Sequence, residues 1–147
     1  MNETAASPGG DVAITDPASY RHWVEDVVRF SDTDASGHVN NVAYTAYVES
    51  GRVTFARDSG LDRSAGEGWI LGHLAIDYRA EAFFPGRIRV GSRVVKVGNK
   101  SFTLASAVFM DERCLATAVS VLVFRRDGTA QPIPARIRAH LETDLAG

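Results

Sequence analysis

Cysteine is nearly missing from this sequence. The chain of 147 residues holds a single one, Cys114. No intrachain disulfide can form, and no zinc-ligand spacing exists. That usage fits a reducing compartment. No residue pattern points to a metal or an organic cofactor. An excess of charge is also missing. Sixteen Lys and Arg stand against eighteen Asp and Glu, a net charge of −2, so nothing draws the chain toward nucleic acid or an anionic membrane. No apolar run is long enough to cross a bilayer. The first residues lack a basic start and an apolar centre, so a signal peptide is not expected and a cytoplasmic location is the default.

What is present suits one domain. The chain is 45% hydrophobic and 23% charged, enough to close a sizeable core. Residues 1–18, with Gly9-Gly10, two prolines and small side chains, read as a flexible tail. Residues 19–147 read as the folded domain. His22 to Phe30 reads as a strand and Ser31 to Asn41 as a polar loop. Val42 to Asp58 reads as one long helix, because Tyr44, Tyr47, Val48, Gly51 and Phe55 fall on a single stripe. A glycine inside a helix is costly, so Gly51 implies a close approach to a neighbour. Gly60 ends the helix.

After a polar loop, Leu61 to Gly68, the period changes to two. Trp69 to Tyr78, Arg87 to Val97, Ser101 to Met110 and Cys114 to Arg125 read as strands. Pro134 to Leu141 reads as a short closing helix. In the last two long strands both faces are apolar or small. One helix covers one face of a sheet, so the other face, or the strand edges, is expected to meet a second copy of the chain.

The chemistry concentrates in Asp32-Thr-Asp34-Ala-Ser-Gly37-His38-Val-Asn40-Asn41. Two acids precede a glycine turn and then the start of a helix, whose free N–H groups and dipole stabilise negative charge. A carboxylate beside such donors can act as base or nucleophile next to an oxyanion site. Gly37 is expected in a conformation open mainly to glycine. Asn40 and Asn41 are both candidate caps. Asp32 reads as structural, bonding loop backbone or Arg29. His38 reads first as a turn-shaping histidine, Tyr44 as a core residue that can also line a pocket, and Glu49 and Arg52 as a pair on one helix. Cys114 reads as strand filler.

That motif, followed by Tyr44, Tyr47, Glu49 and Arg52 and later by Pro85-Gly86, Val97-Gly98-Asn99-Lys100-Ser101-Phe102 and Pro132-Ile133-Pro134, resembles the 4-hydroxybenzoyl-CoA thioesterase family of hotdog proteins. The resemblance runs from about Val24 to Leu141. It implies an α+β single hotdog fold, an antiparallel sheet of about five strands wrapped around one long helix. It further implies hydrolysis of an acyl thioester on coenzyme A or on an acyl carrier protein, without a cofactor, in a homodimer or a tetramer of hotdog dimers. On it Asp34 is the catalytic acid and the Asn41 N–H the oxyanion donor. His38, Asn40, Tyr44, Lys100 and Ser101 are expected against substrate, at a subunit interface. Two other classes stand beside this one. A non-catalytic hotdog would bind an acyl thioester or acyl carrier with no reacting carboxylate. A hotdog dehydratase or hydratase would need a histidine with an acid, and the long helix holds no histidine.

Overall fold

The computed structural model describes residues 14–146. Six strands and two α-helices follow one another: β1 (His22–Val28), α1 (Asn41–Arg57), β2 (Glu67–Tyr78), β3 (Gly86–Val97), β4 (Ser101–Met110), β5 (Arg113–Arg126), β6 (Thr129–Ala130) and α2 (Ala135–Ala146). One fully antiparallel sheet runs in the order β1-β3-β4-β5-β2, with β6 added beside β5. This is the expected hotdog arrangement. The expected strand from His22 ends at Val28, and Phe30–Asp32 form a 3-10 turn. The two-residue β6 carries no period that a sequence reading could use.

The stripe on α1 packs into the curl of the sheet. Tyr44, Tyr47 and Val48 pack among Ile88, Val90, Val108 and Leu115. Further along, Phe55 packs with Val94, Phe102, Leu104 and Phe124, together with Ile137 and Leu141 of α2. Each such side chain, fully buried, contributes about 1.5–3 kcal/mol. Gly51 has the packing reason the sequence implied. A Cβ there would lie 2.8 Å from Val90 Cγ1 and 3.3 Å from Ser92 Oγ. The helix therefore crosses β3 at the closest approach a backbone allows.

α2 is held by its last turn. β3 is bulged between Val94 and Lys96. The buried Asp144 accepts from the Val94 N–H at 2.7 Å and meets His22 Nε2 at 2.7 Å.

The outer sheet face corrects one expectation in part. A stretch expected to need a second copy is covered from within the chain. Tyr20 and Trp23 pack over Ala105, Ala107 and Phe109. Tyr20 follows a 3-10 turn, Pro17–Ser19, that lies partly in the stretch expected as tail. The first thirteen residues of that tail lie outside the described residues. The neighbouring outer row of β5, Val119, Val121 and Val123, is only half-buried.

Candidate active site

β1 ends where a small hairpin begins. Thr33 and Val39 form an isolated bridge, the Asp34 N–H donates to His38 O at 2.9 Å, and the Gly37 N–H donates to Asp34 O at 2.9 Å. Closing so tight a turn requires a left-handed residue, and Gly37 supplies φ +84°. Asn40 then caps α1, its side chain accepting from the Val42 N–H at 2.9 Å. Of the two candidate caps, Asn40 fills that role and Asn41 is the first helical residue. Among the described residues, the Asn41 N–H has no acceptor.

The two acids of the hairpin differ in surroundings. Asp32 is locked. Its Oδ2 accepts from the Tyr47 hydroxyl at 2.6 Å and from the Arg29 N–H at 2.9 Å, and its carbonyl accepts from the Asn40 N–H at 2.8 Å. It therefore ties the end of β1, the N-cap and the buried face of α1 together. The Tyr47 hydroxyl stays protonated across the whole neutral range. Burial raises its pKa, and so does donation to a carboxylate.

Asp34 is exposed. One oxygen, Oδ1, accepts from the Ser36 N–H at 2.9 Å and the His38 N–H at 3.3 Å. The carboxylate is held by its own turn through that one oxygen, and the other, Oδ2, is free of hydrogen bonds among the described residues.

Around this pair stand side chains from the segment between β2 and β3. His38 Nε2 lies 3.1 Å from Glu81 Oε1, and its ring centre lies 5.1 Å from that of Phe83. The Val39 N–H donates to Ala82 O at 2.8 Å. Tyr44 is buried, its ring edge-on to Tyr47 and Tyr78 at 5.9 and 5.6 Å. Burial raises the Tyr44 pKa, and Arg113 pulls against it. The Tyr78 hydroxyl donates to Asn41 O at 3.3 Å. Tyr78, Glu81 and Phe83 were missed by the sequence reading, because no motif or period marks a residue that reaches the site only through strand pairing. The Cys114 thiol is pushed up by burial, which is the opposite of an activated nucleophile.

Asp34, His38, Asn40, Asn41 and Tyr44 thus gather at one end of the sheet, where Val28 faces Gly86. Lys100 and Ser101 do not join them within the chain. They turn from β3 into β4 at the opposite end, where Val97 faces Phe102. The 12 residues of β3 separate the two ends, roughly 36 Å at the usual rise of a strand. The expected Glu49–Arg52 pair is present at 3.7 Å. Among the described residues no cluster of acids, histidines or cysteine suits a metal ion, and no helix is long and apolar enough to cross a membrane.

Comparison with known proteins matches the fold. A thioesterase superfamily protein from Jannaschia is 29% identical, with a TM-score of 0.81, over 91% of this chain and 89% of that one. A Thermus thermophilus thioesterase, solved with coenzyme A and zinc, is 26% identical, with a TM-score of 0.76, over 85% of this chain and 94% of that one. A Pseudomonas aeruginosa protein is 31% identical, with a TM-score of 0.74, over 85% of this chain and 92% of that one. No curated protein matches the sequence. A family model described as the thioesterase-like superfamily matches residues 28–141, from the end of β1 into α2. The chain belongs to the thioesterase-like superfamily.

Proposed function

We propose that the protein hydrolyses an acyl thioester, acyl-CoA plus water giving a carboxylic acid plus coenzyme A, with Asp34 as the reacting carboxylate. One observation carries this reading: a carboxylate with a free oxygen is fixed by its own turn next to a helix start whose Asn41 N–H is unused. A thiolate leaves easily, so little acid catalysis is required. The chemistry needs a positioned nucleophile and a donor for the tetrahedral oxyanion. Asp34 Oδ2 either takes a proton from water as water attacks the carbonyl, or attacks it directly. In the second case a mixed anhydride forms as the thiolate departs, and water then cleaves the anhydride. The Asn41 N–H donates to the oxyanion on both routes. His38, held by Glu81, and Asn40 shape the loop against the substrate, and Tyr44 lines the entry of the acyl group.

The coenzyme A found in the Thermus thermophilus relative supports coenzyme A as carrier, with an acyl carrier protein as the other option. The working unit in this reading is a homodimer, which can pair further into a tetramer. β2 is an edge strand with Ile70 and Leu71 each 40% exposed, and α1 presents Val42 and Val53 to solvent. Long apolar edges of this kind pair with another strand. Antiparallel pairing of β2 with its copy sets the Tyr78 end of one chain beside the Glu67 end of the other. Lys100 and Ser101 sit at that Glu67 end, so a second copy supplies them to the Asp34 site.

The test is thiol release from a panel of aliphatic, benzoyl and phenylacetyl-CoA thioesters, with Asp34→Asn beside the wild type. Turnover that falls by orders of magnitude in the folded variant supports the reading. Equal rates in the two proteins remove the mechanism.

A further inference from the structure

A groove of about 810 Å³ runs between the C-terminal half of α1 and the start of β2. That size suits a small organic ligand. Its walls are largely apolar, from Val53, Ala56, Leu61, Trp69, Leu71 and Leu122. Set among them is a charge. The Arg52 side chain is 7% exposed, and its Nη1 is buried with no partner among the described residues.

The neighbouring charges do not answer it. Glu49 Oε2 stands 3.7 Å from Nη2 and is 63% exposed, a pair weakened by solvent. Glu67, the acid in the groove wall, is bound by Arg126, Arg136 and the Asp62 N–H. Arg57 is engaged by Asp58 at 3.1 Å, and Arg63 adds a further positive charge at the rim. The negative end of the α1 dipole acts mainly within its last turn, and Arg52 lies before that turn. A buried guanidinium N–H with no acceptor is destabilising, and such groups call for a completing partner. Its planar fork matches a carboxylate.

Position says which carboxylate. Arg52 follows Asn41 by three helical turns, so it lies on nearly the same face, about 16 Å along the axis. The groove lies along α1 beside its exposed Val53. We propose that Arg52 recognises a carboxylate at the far end of the acyl chain, so that the substrate class is a long dicarboxylic acid held as its monothioester. This rests on the thioesterase reading of Asp34 and Asn41.

The experiment compares dodecanedioyl-CoA with dodecanoyl-CoA in the wild type and in Arg52→Met, which keeps the stem and removes the charge. In the wild type kcat/KM favours the dicarboxylic thioester about tenfold or more, the scale of one charge-assisted hydrogen bond. In Arg52→Met the ratio of the two kcat/KM values falls to near one. A wild-type ratio near one, or a ratio that survives in Arg52→Met, overturns the proposal. If the wild type turns over neither of these but hydrolyses another thioester of the panel, the proposal is overturned. If it hydrolyses none, the hydrolase reading on coenzyme A thioesters has failed, and calorimetry with free dodecanedioate reads the groove by itself. Binding at least tenfold weaker in Arg52→Met supports the carboxylate site, and equal binding overturns it. Two further results overturn it as well. One is weaker binding of free dodecanoate with the thioester ratio intact, which gives the guanidinium to a free acid. The other is a change in oligomer size with the ratio intact, which gives it to the subunit contact.

Discussion

Acids stand on both sides of α1. After α1, Glu67 at the head of β2 is fully engaged, while the exposed Asp62 closes its own turn through one oxygen. Asp62 accepts from the Ser64 N–H and hydroxyl at 3.0 and 2.6 Å, and Glu67 joins Arg126, Arg136 and the Asp62 N–H. In the loop before α1, Asp32 plays the same holding part through Tyr47, Arg29 and Asn40. Asp34 differs. It shares with Asp62 an exposed oxygen that no hydrogen bond takes among the described residues, but it stands beside the start of α1, whose Asn41 N–H has no acceptor there. Neither acid content nor a free carboxylate oxygen separates the two loops; the place of that oxygen at a helix start with an open N–H does.

The sharpest break of that contrast removes what Asp34 works with. Beyond Asp34→Asn, whose loss is the largest expected, Asn41→Pro deletes a backbone N–H and little else. Asn41 is the first helical residue, where proline fits, and Asn40 before it is already extended at ψ 145°. The fold should hold, with the far-ultraviolet spectrum unchanged. Losing one oxyanion donor costs about 3–4 kcal/mol, so turnover should fall roughly a hundredfold to a thousandfold. A variant with wild-type turnover would take the oxyanion site away from the start of α1.

Glu67→Gln tests the other side of α1, where the effect should fall on stability. Removing one partner of a fully buried ion pair costs about 3–5 kcal/mol. The two arginines here are 37% and 51% exposed, so about 2 kcal/mol is expected after solvent screening, read by urea unfolding. The pH dependence has a definite sign. Burial pushes the Glu67 carboxyl up, but the Asp62 N–H and the two arginines outweigh it and hold the pKa below the ordinary value. A depressed folded pKa gives stability that is full above the unfolded value, about 4.3, and is lost as pH falls through the folded one. The wild-type advantage over Glu67→Gln should therefore be flat near neutrality and shrink on acidification below that point.

The helix stripe, four long strands, the Gly37 turn and the tight seat of Gly51 were legible because each is written in local spacing. The α1 start was readable to within one residue, since two adjacent asparagines can each cap and only the backbone chooses. The locking of Asp32 was half legible. Its contact with Arg29 lies three residues away, but Tyr47 lies fifteen away and looked like plain core. Two further facts had no sequence signal. One is that β2 is an edge strand, because its composition matches that of the inner strands. The other is that Lys100 and Ser101 sit at the far end of the sheet from Asp34, because a motif read in a line does not show which end of a strand its turn occupies.

Tyr47→Phe asks whether the locked acid supports the free one. The change removes a hydroxyl bonded at 2.6 Å to Asp32 and leaves the ring in place. About 1–2 kcal/mol of stability should go, as for a carboxylate oxygen losing one buried donor. Turnover should fall several-fold through kcat, because the hairpin that aims Asp34 loses its tie to α1. A drop in stability with kcat unchanged would mean that the hairpin holds its own shape, and that the two acids are independent.

The smallest expected effect is the most discriminating partner to Asn41→Pro. Asn41→Ala removes an exposed side chain, keeps the backbone N–H, and places the best helix former at the first helical position. Neither stability nor kcat should move measurably, because the cap is supplied by Asn40 and the donor is the peptide. Thiol release and thermal unfolding of the alanine and proline variants, measured together, separate the two parts of one residue. A large loss in both variants would place the function in the Asn41 amide side chain. A loss confined to proline leaves it in the backbone, where the free N–H at the head of α1 puts it.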